Sequence, residues 1–464
     1  MSNTVTTMGD NMDIEVIILA AGQGKRMKSR LPKVLHQLAG RPLLEHLLSR
    51  VQAVFSSSVH IVVGHGGDQI REAFSEEAVN WVTQTQQLGT GHAVAQAMPD
   101  VDDEAIVLVL YADVPLTSAA TLAQLVAAAQ QGGLALLTVE MENPQGYGRI
   151  IRDIGNRVCA IVEEKDATPE QRLVTEVNTG ILAAPAHHLK RWLPALSAEN
   201  AQGEYYLTDI IAMAVGDGVE VTTLNSSTTQ EVQGVNSRQQ LAELERWYQR
   251  QQAVALMESG VTLADPSRLD VRGSVKCGQD VFIDINVIIE GEVQLGDGVQ
   301  IGPNVVLRNS NIAEGVCIDA NCVVDGTVIK EGCQIGPFAR LRPGTELAKN
   351  AKIGNFVETK KAVIGEGSKV NHLSYIGDSI LGRDVNVGAG TITCNYDGAN
   401  KHLTELGDGV FVGSNTALIA PIKVGEGVTI GAGSTVSRDI EADSLVVVRG
   451  KPRTLSGWQR PRKK

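Results

Sequence analysis

Apolar residues in the first half of the chain fall into short runs separated by longer stretches of helical composition. The runs predict β-strands, and alternating strands and helices are typical of an α/β domain with a mainly parallel sheet. We therefore expect such a domain over residues 12–238. The predicted strands are Val16–Leu19, His60–Val63, Ile106–Leu110 and Leu134–Val139, with helical stretches such as Leu43–Val54 and Thr121–Gln130 between them.

A charged helical run follows this domain. Over residues 237–260 the apolar positions Leu241, Leu244 and Tyr248 recur at helical spacing and so share one face. We interpret residues 239–260 as a helix that connects two domains.

Beyond residue 261 the pattern has a period of six. Leu406, Val412, Leu418, Val424, Ile430 and Val436 recur without interruption, as do Leu295, Ile301 and Leu307, and Leu381, Val387 and Thr393. A period of six with one inward aliphatic residue predicts a parallel β-helix, with roughly ten coils if three hexapeptides form each coil. We expect it over residues 261–464. The run Asn395–Lys401 breaks the period and predicts a loop extruded from a coil.

Composition and charge narrow the functional classes. The net charge of -12 argues against nucleic acid as a partner and fits a cytoplasmic protein that handles small anions. The acidic N-terminus does not resemble a signal peptide, and no apolar run reaches the roughly 20 residues that span a bilayer. The six cysteines lack the spacing of a zinc site, so we expect reduced, buried thiols.

The first predicted strand runs into the glycine-rich string LAAGQGKRM, from Leu19 to Met27, and Pro32-Lys33 follows. Such a turn lets backbone N–H groups approach phosphate oxygens. It is not a Walker A loop, and Met27 stands where the dinucleotide fingerprint needs a third glycine. The full string with its Pro-Lys pair resembles the signature of sugar-phosphate nucleotidyltransferases.

Further motifs follow in the order expected of that family. They are QTQQLGTGHA from Gln84, YADVP from Tyr111, GYGR from Gly146, VNTG from Val177 and EVQGVN from Glu231. The resemblance implies a Rossmann-like domain that binds UTP and a UDP-sugar. The implied binding residues are Leu19, Ala20, Ala21, Gly22, Lys33, Gln84, Gly89, Thr90, Tyr111, Ala112, Asp113, Gly148, Glu163, Asn178 and Asn236.

The same resemblance implies a magnesium-dependent reaction. Asp113, at a strand end, and Asn236 would hold the cation, because Mg²⁺ prefers oxygen ligands. Arg26 and Lys33 would neutralise phosphate charge while a sugar-1-phosphate attacks the α-phosphorus of UTP, and no protein nucleophile is needed. The family motif usually reads Y-G-D, whereas this chain has alanine at position 112, where a methyl group could crowd the nucleotide.

A β-helix by itself proves no activity. Some β-helix proteins are metal hydratases with three histidine ligands, but after His188 this chain has only His372 and His402. A site of that kind would need histidines pooled between subunits. The other common activity is acyl transfer from coenzyme A.

Six motifs in this half favour acyl transfer: RLRPG from Arg340, NFVETKK from Asn355, NHLSY from Asn371, NVGAG from Asn386, NYDG from Asn395 and GSN from Gly413. With these, the chain resembles, from about residue 14 to 458, the bacterial family of bifunctional N-acetylglucosamine-1-phosphate uridyltransferases and glucosamine-1-phosphate acetyltransferases. That resemblance implies a left-handed β-helix, a homotrimer with acetyltransferase sites at subunit junctions, and acetyl-CoA as co-substrate.

The resemblance also implies roles for residues of the β-helix. His372 would be the general base that frees the sugar amine, and Ser414 would stabilise the oxyanion. The implied acceptor-binding residues are Arg342, Lys360, Tyr375 and Asn386, and the implied acetyl-CoA-binding residues are Ala389, Asn395, Tyr396, Ser414, Ala432 and Arg449.

Three functions remain open at this point. The first is the bifunctional enzyme that makes UDP-N-acetylglucosamine, and the second is a nucleotidyltransferase whose β-helix only oligomerises. The third is a binding protein with a degenerate site. The basic tail, RGKPR from Arg449 and RPRKK from Arg460, is either solvated or contacts cofactor phosphates or a neighbouring subunit.

Overall fold

The computed structural model describes residues 13–448, 450 and 454–460, and the chain divides into two compact units between Trp247 and Tyr248. The division falls inside a helix, Arg238–Glu258, at the segment predicted to connect two domains. The domain limits 12–238, 239–260 and 261–464 stay a prediction.

The first unit contains a nine-stranded sheet in the order β11-β7-β10-β6-β1-β4-β5, with β8 and β9 paired beside β10. Strand β10 runs antiparallel to both β6 and β7, and the pairs of β1 with β4 and β6 are parallel. The predicted mixed, mainly parallel sheet is confirmed. The strands are β1 Ile14–Ala20, β2 Gln37–Leu38, β3 Arg41–Pro42, β4 Ser58–Val63, β5 Asn80–Thr83, β6 Ile106–Tyr111, β7 Leu134–Glu140, β8 Arg149–Arg152, β9 Val158–Val162, β10 Glu176–Pro185 and β11 Val221–Asn225.

Helices cover both faces of this sheet. Along β1, Val16 and Ile18 pack into one apolar cluster, whereas Ile17 and Leu19 pack into another on the opposite face. Burial on both faces explains why the strands read as continuous apolar runs. The helices are α1 Leu43–Val54, α2 Gly67–Ala73, α3 Thr90–Ala97, α4 Ala119–Ala129, α5 Ala186–Trp192, α6 Asp209–Gly216 and α7 Arg238–Glu258.

The second unit consists of parallel strands stacked coil upon coil in two sheets. One sheet contains Thr262–Leu263, Phe282–Ile283, Gln300–Ile301, Cys317–Ile318, Gln334–Ile335, Lys352–Asn355, Lys369–His372, Asn386–Val387, Phe411–Val412, Thr429–Ile430 and Leu445–Val446. The other contains Leu269–Cys277, Val287–Leu295, Val306–Ile312, Val323–Asp325, Val328–Ile329, Arg340–Leu341, Glu346–Leu347, Glu358–Ile364, Tyr375–Leu381, Ile392–Cys394, Thr404–Leu406, Ala417–Ile419, Ile422–Val424 and Thr435–Val436.

The register of these strands confirms the hexapeptide prediction. Phe282 pairs with Gln300, 18 residues on, and Gln300 pairs with Cys317, 17 residues on, so each coil holds about three hexapeptides. The inward aliphatic residues form one continuous buried cluster. Between Ile392 and Ala417 the step widens to 25 residues, which is where the predicted loop leaves the coil. The β-helix is confirmed, and its left-handedness stays a prediction.

The six cysteines are all free thiols, but only Cys322 and Cys333 are buried as expected, and the other four are partly exposed. Burial raises the pKa of Cys322 and of Cys333 to about 11, so both stay protonated near neutral pH. In the part of the chain that the structure describes, no helix combines the length and apolarity needed to cross a membrane.

Candidate active sites

The glycine-rich turn of the first unit brings two distant side chains together. Strand β1 ends at Ala20, and Gly24 has a φ of +57° in the turn that follows. A Cβ on Gly24 would lie 3.0 Å from the Cβ of Lys33, so glycine allows the turn to pass close to the lysine. Arg26 is exposed in the short helical turn Lys25–Met27.

Three of the predicted phosphate and metal residues converge at the carboxyl ends of β1 and β6. The Lys33 ammonium forms an ion pair with the Asp113 carboxylate and donates to Asn236 Oδ1 at 3.1 Å. The backbone N–H of Val235 donates to the carbonyl of Asp113 at 2.8 Å, which holds the Asn236 segment beside the strand end. These residues are 80 and 203 positions from Lys33 in sequence, so only the fold brings them together.

The oxygens of Asp113 and Asn236 fit a magnesium ion. The Asp113 carboxylate and the Asn236 amide oxygen both contact the Lys33 ammonium, so a positive charge is already bound between these two oxygens. Among the described residues no group of three or more His, Cys, Asp or Glu side chains could hold a metal. Mg²⁺ with few protein ligands takes the rest from phosphate oxygens and water, so this donor set suits a nucleotide-bound cation.

One cavity beside these residues contains most of the predicted nucleotide contacts. Gln84 is buried, and its amide Nε2 lies 3.2 Å from the carbonyl of Gly89 and 2.9 Å from Nδ1 of His92. Sequence reasoning did not single out Val34 and Glu204, which lie outside the quoted motifs, or Gln87 and Ala93, which lie inside the QTQQLGTGHA motif but were given no role. The cavity is lined by Leu19, Ala20, Ala21, Gly22, Lys33, Val34, Gln84, Gln87, Gly89, Thr90, Ala93, Tyr111, Asp113 and Glu204.

The expectation about Ala112 needs correction. Its side chain is completely buried in the apolar cluster between the sheet and the helices, and it does not line the cavity. Its backbone N–H donates to the carbonyl of Leu19 at 3.0 Å. Tyr111 at the end of β6 and Asp113 in the turn that follows line the cavity, while the methyl group of Ala112 between them is buried in the core. The methyl group therefore does not reach into the cavity.

A second, smaller recess lies on the other side of Tyr111. Gly180 has a φ of +86°, and a Cβ there would lie 2.6 Å from the Tyr111 ring, so glycine is required where the ring packs against β10. Burial is the main cause that raises the pKa of Tyr111 above its ordinary value, which keeps the hydroxyl neutral. The recess is lined by Tyr111, Leu136, Ile161, Asn178, Gly180, Leu182, Leu207, Thr208 and Ile211.

The remaining predicted sugar contacts border this recess. Glu163 Oε1 accepts a hydrogen bond from Thr208 Oγ1 at 3.0 Å, and burial raises the pKa of Glu163. A Cβ on Gly148 would come within 3.5 Å of the same Oε1. The backbone N–H of Asn178 donates to the carbonyl of Gly148 at 2.8 Å. The Asn178 side chain lines the recess, and the half-buried Glu163 carboxylate lies next to it through Thr208, so these polar groups suit the hydroxyl groups of a sugar.

Glu231 anchors the segment that carries Asn236. Its buried carboxylate accepts hydrogen bonds from the Ser118 N–H at 2.9 Å and from the hydroxyls of Thr121 and Ser226 at 2.5 and 2.8 Å. Burial acts to raise the pKa of Glu231, but these hydrogen bonds outweigh it and hold the pKa below its ordinary value. The carboxylate therefore stabilises the fold above its unfolded-state pKa, and this contribution is lost as the pH falls through the lowered folded pKa.

We expect Glu231→Ala to destabilise the first unit by about 2 kcal/mol at pH 7, because one buried and two half-buried donors lose their acceptor. In a unit of this size the calorimetric melting temperature should fall by about 4–8 °C. The difference from wild type should shrink at acidic pH, and Glu72→Ala, an exposed matched control, should change little. A melting temperature of Glu231→Ala equal to that of wild type at pH 7 would refute this assignment.

In the second unit three of the four predicted acceptor-binding residues, Arg342, Lys360 and Tyr375, lie in or directly after strands on neighbouring coils of one sheet, and the fourth, Asn386, lies in a strand of the other sheet. Arg340 pairs with Glu358, and Glu358 pairs with Tyr375, so their strands are stacked in register. Lys360 pairs with Gly377, over which the Tyr375 ring is folded. Arg342 Nη1 donates to Glu358 Oε1 at 2.8 Å, and Glu358 is a contact that sequence reasoning did not single out.

The predicted base and cofactor residues form a column at one turn of the β-helix. Asn355 and His372 are register partners, and the next coils place Ala389, Ser414 and Ala432 at the equivalent turn. The backbone carbonyls of the first four accept hydrogen bonds from the following coil at 2.7–3.2 Å. Small side chains beyond the exposed His372 leave a path for a narrow ligand along the column. We call Asn355, His372, Ala389, Ser414 and Ala432 the histidine column.

Asn386 begins the strand that leads to Ala389, so it lies on the coil next to His372. Arg449, predicted to contact the cofactor, lies outside the described residues, as does most of the basic tail.

The loop after Cys394 has internal order. Asp397 accepts from the N–H groups of Ala399 and Asn400 at 2.8 and 2.7 Å and lies 2.7 Å from His402 Nε2. The backbone N–H of Asn400 and the His402 ring hold the pKa of Asp397 well below its ordinary value.

Two predicted cofactor residues, Asn395 and Tyr396, begin this loop. The buried Asn395 amide contacts the Asp378 carboxylate, and the Lys401 ammonium lies 4.4 Å from the centre of the half-exposed Tyr396 ring. The loop therefore places Tyr396 at the surface, next to Asn395, which is held by its contact with Asp378.

Comparisons with known proteins agree with both halves. The model of the MobA-like NTP transferase domain matches residues 16–259, and that of the bacterial transferase hexapeptide (six repeats) matches residues 274–309, 326–361 and 404–438. Over 97% of its length the chain is 63% identical to the bifunctional protein GlmU of Marinobacter nauticus and 57% identical to that of Cellvibrio japonicus, with 99% and 100% of those proteins covered. It is 53% identical to the bifunctional protein GlmU of Acinetobacter baumannii, again over 97% of this chain and 99% of the relative.

These findings confirm the expectation of two transferase activities in one polypeptide, a nucleotidyltransferase followed by a hexapeptide acyltransferase. The chain therefore belongs to the family of the bifunctional GlmU proteins.

Proposed function

We propose that the chain acetylates glucosamine-1-phosphate with acetyl-CoA in its second unit and then transfers UMP from UTP to N-acetylglucosamine-1-phosphate in its first. The products are free coenzyme A, pyrophosphate and UDP-N-acetylglucosamine. The observation that carries this proposal is the convergence of Lys33, Asp113 and Asn236 beside a cavity, together with a separate histidine column in the β-helix.

In the first unit, an oxygen of the sugar phosphate attacks the α-phosphorus of UTP. The new P–O bond forms as the bond to the β-phosphate breaks, and pyrophosphate leaves. Lys33 and Arg26 neutralise charge on the phosphates, and Gln84 and Gly89 contact the uracil base of UTP. Asp113 and Asn236 hold magnesium, which supplies further charge neutralisation when bound. The recess with Glu163 and Asn178 binds the sugar hydroxyls.

In the second unit, His372 Nε2 takes a proton from the ammonium group of the sugar. The freed amine attacks the thioester carbonyl and the C–N bond forms. As the C–S bond breaks, the protonated His372 gives its proton to the leaving sulfur, so coenzyme A leaves as the thiol, and the second proton of the attacking amine passes to solvent. Ser414 donates to the oxyanion, and Arg342, Lys360 and Tyr375 hold the acceptor and its phosphate. Ala389, Ala432 and Arg449 line the cofactor path, while Asn386 and the loop residues Asn395 and Tyr396 hold the sugar acceptor and the acetyl end of the cofactor.

We propose that the protein is a cytoplasmic homotrimer. Cytoplasm is where UTP and acetyl-CoA are available. The trimer is supported by an apolar ladder on the surface of the β-helix, formed by Phe338, Phe356 and Leu373 at the same turn of three successive coils. Their side chains are 49%, 54% and 63% exposed, and each has a φ between +51° and +57°, a backbone conformation that large apolar residues rarely adopt. Because Leu373 follows His372, a second copy that covers the ladder would also border the acetyl-transfer site.

We expect Phe356→Glu to convert the trimer to a monomer, because three copies would each bury a carboxylate at the interface. Light scattering should show a threefold lower mass, and acetyl transfer should fall with it while uridylyl transfer persists. Val328→Glu, at an exposed apolar residue outside the ladder, is the control. An unchanged mass for Phe356→Glu would contradict the proposed interface.

Mixing two single-site variants tests the proposed pair of reactions. Neither Asp113→Ala nor His372→Ala alone should convert glucosamine-1-phosphate into UDP-N-acetylglucosamine. A mixture of the two should regain this conversion, because the acetylated intermediate made by one variant is used by the other. If the mixture stays inactive, the two reactions do not reside in separate sites of this chain.

A further inference from the structure

Asn355 lies directly against His372. The two residues are register partners on adjacent coils, and His372 Nδ1 lies 2.6 Å from Asn355 Oδ1. A Cβ on Gly354 would lie 2.0 Å from the carbonyl oxygen of Asn371, so glycine permits the two strands to approach this closely. The Leu373 N–H donates to the carbonyl of Asn355 at 3.1 Å and fixes the spacing of the turns.

The contact has a consequence for the proton on the imidazole ring. A neutral imidazole carries one proton, and the carbonyl oxygen of an asparagine side chain can only accept. With Oδ1 facing Nδ1, the proton lies on Nδ1, and Nε2 keeps its lone pair. If the amide nitrogen faced the ring instead, Nδ1 would accept and Nε2 would carry the proton, and His372 could not act as a base through Nε2.

We propose that Asn355 is a positioning residue that holds His372 in the tautomer with the proton on Nδ1, so that Nε2 accepts the proton of the sugar ammonium. This inference rests on the proposed acetyl transfer and assigns a specific role to a neighbour of its base. When Nε2 is protonated, Asn355 Oδ1 still accepts from Nδ1, so one hydrogen bond serves both states of the ring. In a histidine base, the hydrogen bond made by the second ring nitrogen generally determines which nitrogen carries the proton.

Titratable groups also occur on the strands around this pair. The strand of His372 carries Lys369 and is followed by Tyr375, and the strand of Asn355 carries Lys352 and is followed by Glu358 and Lys360. The strand of the next coil, Asn386–Val387, has no titratable residue. The comparison of asparagine with aspartate at position 355 leaves all of these unchanged, so it isolates the effect of the facing group.

The test measures kcat, KM and the pH profile of acetyl transfer for Asn355→Ala and Asn355→Asp. We expect Asn355→Ala to lose about 10- to 100-fold in kcat, as is typical when an orienting partner is removed, with the KM for glucosamine-1-phosphate nearly unchanged. Asn355→Asp keeps an acceptor and should retain more activity than Asn355→Ala. Its acid limb should move to higher pH by about one unit or more, because a carboxylate favours the protonated ring.

Asn311→Ala is the matched control, since it removes an exposed asparagine from another coil of the same β-helix. A kcat for Asn355→Ala within twofold of wild type overturns the inference. So does an Asn355→Asp variant as impaired as Asn355→Ala with an unshifted acid limb. If Asn355→Ala loses its native oligomeric mass, Asn355→Asp alone decides through its pH profile. A wild-type protein that never releases thiol would instead mean that the proposed function itself fails.

Discussion

Replacing Asp113 with alanine should lower uridylyl transfer by at least about 10³-fold, a loss of about 4 kcal/mol of transition-state stabilisation. Asp113 is the carboxylate that meets Lys33 and Asn236 at the end of β6, and it is the anionic ligand proposed for magnesium. Without it, the cation loses a ligand and the Lys33 ammonium loses its ion pair. The measurement is pyrophosphate release from UTP and N-acetylglucosamine-1-phosphate over a range of magnesium concentrations.

The same Asp113→Ala protein should acetylate glucosamine-1-phosphate at the wild-type rate, because the acetyl-transfer residues belong to the other unit. Asp103→Ala removes an exposed carboxylate that is paired with Lys190 and should leave both reactions intact. Uridylyl transfer by Asp113→Ala within tenfold of wild type at every magnesium concentration would rule out Asp113 as a ligand.

Replacing His372 with alanine should lower acetyl transfer by about 10²- to 10⁴-fold, the usual contribution of a positioned general base. The histidine is exposed in the histidine column, followed by the small residues that line the proposed cofactor path. Free thiol formed from acetyl-CoA and glucosamine-1-phosphate measures this step. The loss should be smaller at high pH, where more of the sugar amine is already deprotonated in solution.

Pyrophosphate release from N-acetylglucosamine-1-phosphate should be unchanged in His372→Ala. His187→Ala, which removes an exposed histidine from the first unit, is the matched control for both assays. If thiol release persisted in His372→Ala at the wild-type rate, another group would have to be the base.

The period-six pattern predicted the β-helix because one aliphatic residue points inward in each hexapeptide. Leu406, Val412 and Leu418 are examples, and each is buried. The pattern could not predict which side chains on neighbouring coils are in contact. The step between coils is 17 residues from Asn355 to His372 but 18 from Phe411 to Thr429. A difference of one residue changes which side chains are neighbours. The pair of Asn355 with His372 therefore became visible only in the structure.

In the first unit the motifs predicted the cavity residues well, since the glycine-rich turn and the strand-end Asp113 are local features. Glu204 was missed because it reaches the cavity from a segment without a motif. Ala112 was misjudged because the amino-acid sequence of the motif does not show that the side chain at this position points into the core. The antiparallel strand β10 was not predicted either, because only its second half, residues 181–185, is a buried apolar run, whereas its first half is mostly polar and partly exposed.

The most direct test of two reactions in one chain uses the wild-type protein with glucosamine-1-phosphate, acetyl-CoA, UTP and magnesium, following thiol and pyrophosphate release separately. We expect thiol to appear first, pyrophosphate to follow, and pyrophosphate release to stop when acetyl-CoA is left out. Pyrophosphate release from N-acetylglucosamine-1-phosphate without any thiol release in the full mixture would contradict it, and the β-helix would then be an oligomerisation module alone.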